Sequence, residues 1–93
     1  MRPDSPPPTR QAVALRYRKS SDIAPRITAS GQGRIADIII QRAQEAGITL
    51  IEDADLVGLL GKIPVGESIP VPLYKAVAEV LAYVYRVNRG LGP

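Results

Sequence analysis

Between residues 12 and 17 the side chains alternate, with Val13, Leu15 and Tyr17 set against Ala12, Ala14 and Arg16. That is the period of two of a strand with one strongly apolar face. A strand leaves its backbone donors and acceptors unmet unless another strand lies beside it, so this alternation commits the chain to a sheet. The small alanines leave room for a helix to sit over them. After a polar turn at Lys19-Ser20-Ser21-Asp22, the Ala24-Pro25 pair begins a second extended segment in which Ile27 and Ala29 are expected to point one way. Proline is acceptable at a strand's first residue, where it gives up a single ladder donor.

Gly31-Gln32-Gly33 leads into residues 34–46, where Ile35, Ile38, Ile39, Arg42, Ala43 and Ala46 fall at helical spacing and Gly47 supplies the stop. The short apolar run 48–51 reads as a strand, and a strand, helix, strand order implies a right-handed parallel crossover onto one sheet. Glu52, Asp53 and Asp55 precede a short helix carrying Leu56, Val57, Leu59 and Leu60, where their charge complements the helix dipole. Gly58, Gly61 and Pro64 keep that helix short. Pro70 and Pro72 mark the approach to a last helix whose buried stripe is Leu73, Val77, Val80, Leu81 and Val84, with Lys75 and Glu79 as an exposed i,i+4 pair. The expected fold is a small α/β domain, a mixed sheet of about three strands surrounded by about three helices. Residues 11–89 form this single domain. A disordered proline-rich arm over residues 1–10, with four prolines in its first eight positions, precedes it, and a flexible tail over 90–93 follows Gly90.

A chain of 93 residues has room for one thin core, burying about 60–65% of the surface it exposes when unfolded. It contains no cysteine and no histidine, which removes disulfides, thiolate zinc sites and the commonest general base. Gly31-Gln32-Gly33 stands where a phosphate would bind, but it lacks the third glycine of a dinucleotide fingerprint and no GK[ST] follows, so it reads as a helix-start turn. Glu52, Asp53 and Asp55 lack the ligand count and glycine of a calcium loop. Ser20 and Ser21 beside Lys19 read as turn residues rather than a nucleophile with its base, and the PxxP pattern at Pro3 to Pro6 is frequent by chance. No catalytic residue, metal ligand or cofactor is expected.

Charge is uneven: residues 1–42 carry eight Lys/Arg against three Asp/Glu, and residues 43–93 carry four against six. Arg16, Arg18, Lys19 and Arg26 could therefore contact phosphates, and a small basic nucleic-acid-binding domain is the alternative function. Against it, three of the four tyrosines lie in the last helix, so no aromatic residues interleave with the basic ones. No apolar run approaches the roughly 18 residues needed to span a bilayer, and the N-terminus has no signal-peptide core, so a cytoplasmic protein without membrane insertion is expected.

Three segments carry a resemblance: residues 9–17, Ala24-Pro25-Arg26-Ile27-Thr28-Ala29-Ser30-Gly31, and the closing run 69–85. In order and spacing, over roughly residues 7–89, they resemble the cytoplasmic C-terminal domain of the FlhB family, the export switch of flagellar type III secretion, with YscU, EscU and SpaS as virulence relatives. In that family an Asn-Pro-Thr-His motif precedes the first strand, and the chain cleaves itself between Asn and Pro by cyclisation of the asparagine side chain. Pro7, Pro8, Thr9 and Arg10 stand at those positions, so the resemblance implies a degenerate cleavage motif and no self-cleavage. It also implies a free-standing relative of the C-terminal domain without the membrane part, lacking the family's first strand.

The family recognises early export substrates in a small apolar pocket, and the matching residues are Ala24, Pro25, Ala78 and Leu81. The partners implied are rod and hook subunits, export-gate proteins such as FlhA, and the hook-length control protein, at the base of the flagellar export apparatus. Ordinary core packing for Ala78 and Leu81, and a plain turn for Ala24-Pro25, is the competing structural reading.

Overall fold

The structure, a computed structural model, describes residues 10–18 and 20–91. The expected arm over 1–10, apart from Arg10, and the end of the expected tail lie outside the described residues. β1 (Gln11–Arg16) and β2 (Arg26–Gln32) pair antiparallel, with Gln11 opposite Gln32 and Arg16 opposite Arg26. The register shifts between Ala14 and Leu15, leaving Thr28 as an extra residue on β2. This bulge reverses the pleat. Ile27 lies opposite Leu15 while Ala29 lies opposite Ala14, so the two point to opposite faces and not together as their spacing suggested. The Thr28 hydroxyl donates to the Ala14 carbonyl at 3.3 Å, which holds the extra residue in place.

One face of the sheet carries the core. Ile27 and Val77 are fully buried there, with Ala24, Leu56, Leu60 and Ile69 around them and Val13, Leu15, Leu73, Val80 and Leu81 packed against the cluster. Each large aliphatic side chain fully buried in this way contributes about 1.5–3 kcal/mol relative to its exposed state. α2 (Ala54–Leu60) supplies Leu56 and Leu60, and α3 (Tyr74–Leu91) supplies Val77 and its neighbours. α1 (Arg34–Glu45) packs on β1 and β2 with Ala36 fully buried and Ile39, Ile40 and Ala43 half-buried.

α2 is capped at Asp53, whose Oδ1 accepts the Leu56 N–H at 3.0 Å, as the acidic lead-in predicts. α1 ends where Gly47 turns left-handed at φ 71°, and the Ile48 N–H closes back onto the Ala43 carbonyl at 2.9 Å. α3 follows a single 3-10 turn over Val71–Leu73 and continues through Gly90 to Leu91, past the expected boundary at 89. A glycine inside a helix costs about 1 kcal/mol but does not stop it.

The α/β architecture and the three helices match the sequence reading. The sheet does not: it has two strands among the described residues and is purely antiparallel. Residues 48–51 form no strand, so there is no parallel crossover. Three apolar residues in four do not by themselves make a strand: Ile48 and Leu50 are 61% and 44% exposed, and Ile48 has already given its N–H to α1.

The position beside β2 is taken instead by residues 66–69, where Ser68 bridges Arg26. The Ile27 N–H donates to the Glu67 carbonyl, the Gly66 N–H to the Ile27 carbonyl, and the Ile69 N–H to the Pro25 carbonyl, at 2.9, 2.7 and 2.9 Å. On α1 the expected buried stripe is rotated: Ile35 and Ile38 are 53% and 46% exposed while Ala36 faces the sheet. The face turned inward is centred on Ala36 with half-buried Ile39, Ile40 and Ala43 around it, which leaves Ile35 at its edge, against Gly31.

Candidate functional site

Of the four pocket residues named from the sequence, Ala24 and Pro25 are buried, Ala78 is exposed and Leu81 is half-buried against the core cluster. Ala24 and Pro25 lead into β2, and the Pro25 carbonyl is the acceptor that ties residues 66–69, and hence the start of α3, to this turn. Ala24, Val77 and Leu81 meet in one cluster. Ala24 and Pro25 are thus buried, while Ala78 stands at the surface.

Turning about 100° per residue around α3 from the buried Val77 puts Leu81 and Ala78 on one flank of the stripe. Tyr74 and Tyr85, four residues on either side of that pair, fall on the same flank and are 40% and 58% exposed. The sequence reading passed over both tyrosines, although their spacing from Ala78 and Leu81 was visible. It also passed over Ile23, which is almost wholly exposed beside the buried Ala24 and which no periodicity marks.

The turn before Ala24 is organised by Asp22, whose side chain is only 5% exposed. Its Oδ2 accepts the Arg18 N–H at 2.9 Å, and its carboxylate lies 3.5 Å from Arg26 Nε and 4.0 Å from Arg16 Nε. The hydrogen bond from the Arg18 backbone holds the Asp22 carboxyl below its ordinary value of 3.8, with Arg16 and Arg26 adding to the effect and desolvation opposing it. Arg26 in turn donates to the Gly66 carbonyl at 3.1 Å. Two of the arginines that could have contacted phosphates are thus engaged with this one aspartate.

Pro7, Pro8 and Thr9 of the degenerate cleavage motif lie outside the described residues. Arg10, its last member, pairs with Asp37 on α1 at 3.2 Å, and its carbonyl accepts the Gly33 N–H at 2.8 Å. Both partners are well exposed, so the ion pair is worth about 0–1 kcal/mol. Among the described residues no group of acidic side chains is arranged to hold a metal ion, and no helix is long and apolar enough to cross a membrane.

With an antiparallel pair of strands carrying α1 on one face and α2 and α3 on the other, the fold superposes on solved C-terminal domains of type III export-switch proteins. The crystal structure of the PscU C-terminal domain superposes with a TM-score of 0.78 at 31% identity, covering 83% of this chain and 99% of that one. The cytoplasmic domain of FlhB from Shewanella putrefaciens gives 0.76 at 33% identity, covering 81% and 61%. The chain belongs to the FlhB HrpN YscU SpaS family, whose sequence model matches residues 7–84.

It is 42% identical over 84 residues to the protein YlqH of Bacillus subtilis, covering 90% of each. It is 43% identical over 83 residues to the flagellar biosynthetic protein FlhB of Yersinia enterocolitica, of which it spans 22% of the length. The family is that of the self-cleaving export switch of flagellar and type III secretion.

Proposed function

We propose that this chain is a non-catalytic, protein-binding domain of the flagellar type III export apparatus. It takes up early export substrates of the rod and hook type on the α3 flank beside the Ala24-Pro25 turn. It docks on export-gate proteins such as FlhA at the cytoplasmic base of the apparatus, with the hook-length control protein as a further partner. The observation that carries this reading is the composition of that flank: exposed Ala78 and half-buried Leu81 stand between two exposed tyrosines, over a turn fixed by Asp22 and by the hydrogen bond from Ile69. A small residue between larger apolar ones leaves a depression for a partner's apolar side chain. A shallow site of this size binds weakly, which suits cargo that must be released.

The chain leaves itself uncut, because Pro7 stands where the family has the cyclising asparagine. Replacing Ala78 by Asn tests the binding flank. Ala78 is exposed, so stability should change by no more than about 1 kcal/mol, whereas binding of purified rod or hook subunits should fall at least tenfold. Equal binding by the folded variant and the wild type would overturn the assignment. Unfolding of the variant would make Ala78 a packing residue.

A further inference from the structure

A second apolar surface lies on the opposite flank of α3, and it shares no residue with the one carrying Ala78 and Leu81. Here a groove of about 440 Å³ runs between residues 50–53 and the helix. Its floor is Ile51, Ala76 and Val80, all half-buried, and its lips are Leu50 and Tyr83, which are 44% and 48% exposed. The volume falls near the low end of the roughly 300–1,000 Å³ of ligand clefts, and the groove is open to solvent along its length. Such a shape suits a chain segment lying across it better than an enclosed small molecule.

The charges that line it are all of one sign. Glu52, Asp53 and Glu79 contribute carboxylates, and among the described residues no Lys or Arg lines the groove. Asp53 has one oxygen committed to the Leu56 N–H. Glu52 and Glu79 form no ion pair among the described residues, and Lys75, whose spacing would pair it with Glu79, does not reach it. The carboxylates are not gathered in a way that would hold a metal ion, so what they can offset is a set of separate positive charges. Like charge repels an acidic partner, and apolar lips between carboxylates match a side chain of the same character between basic ones.

We propose that this groove docks a basic peptide segment of a partner protein, seating one apolar side chain between Leu50, Val80 and Tyr83 while flanking lysine or arginine residues meet Glu52 and Glu79. Binding is electrostatically assisted and close to the surface, where added salt shortens the Debye length from about 10 Å at 0.1 M to about 3 Å at 1 M. The site can be occupied or altered without touching the Ala78 flank.

The test uses the whole chain and a fluorescently labelled short peptide with a central leucine flanked by lysines. Two control peptides carry glutamate for lysine, or serine for leucine. The lysine–leucine peptide should bind in anisotropy titrations, weaken at least tenfold on raising salt, and shift backbone amide resonances of residues 50–53 and 76–83. The Glu52→Lys, Glu79→Lys double variant, altered only at exposed positions, should lose at least tenfold. Tyr83→Ser should lose affinity with the carboxylates intact. Ala78→Asn should bind the peptide like the wild type, so that failure here and failure of the substrate flank are read separately. The proposal is overturned by undetectable binding at low salt, by equal binding of the glutamate peptide or the serine peptide, by unchanged affinity in the double variant, or by amide shifts confined to other residues.

Discussion

A methyl group added at Gly31 would run into Cβ and Cγ2 of Ile35, the first-turn isoleucine of α1 that rests over β2. Those atoms lie close to a helix backbone and cannot swing away, so the helix itself would have to shift. Gly31→Ala is therefore expected to destabilise the fold by about 1–3 kcal/mol, the usual cost of overpacking a tight contact. Gly61 provides the comparison. A methyl group there meets chiefly the amide end of Gln11, a flexible side chain that can rotate aside. Its backbone is already right-handed helical at φ −65°, so Gly61→Ala should change stability by less than about 1 kcal/mol. Urea unfolding midpoints of the two variants at constant slope would separate them.

The connection between β1 and β2 depends on Asp22, and its contribution carries a pH signature. The folded carboxyl titrates below the ordinary value of 3.8. Its stabilisation is thus fully present above that value and is lost as pH falls through the lower, folded one. Asp22→Asn should be less stable than the wild type at neutral pH, and the difference should shrink only in strong acid, as followed by urea unfolding across that range. The limits of α1 and α2 are legible because they are written locally, in Gly47 after α1 and Asp53 before α2, whereas α3 is announced by its apolar stripe but runs on through Gly90. Pairing partners are not legible. Nothing in residues 48–51 separates a lone extended run from a strand, and prolines at 64, 70 and 72 hid the ladder made by residues 66–69. The bulge at Thr28 was equally silent, since one extra residue in a strand has no composition of its own. For the candidate site, helical spacing puts Ala78 and Leu81 on neighbouring turns of α3, while the surroundings of Ala24 and Pro25 include residues 66–69, which no local pattern links to them.

For the molecule as a whole, membership in a self-cleaving family makes integrity of the chain a measurable property. Incubated at neutral and mildly alkaline pH, the purified protein should keep a single intact mass, because Pro7 has no side-chain amide to cyclise. A fragment beginning at Pro8 would reveal another nucleophile. A different property of the whole follows from the hydrogen bonds between residues 66–69 and the start of β2. They reset the register of the backbone just before α3, so the length of chain spanned from α2 to Gly66 no longer matters to where α3 begins. Gly66 at φ 95° and the largely exposed Val65 mark the outer bend of that span. Doubling a loop's length costs only about 0.6 kcal/mol in closure entropy. Insertions after Pro64 should therefore leave both flanks of α3 in place, at the cost of the turn hydrogen bond from the Glu67 N–H to the Pro64 carbonyl, which makes this bend a place where a tag can be carried without disturbing either surface.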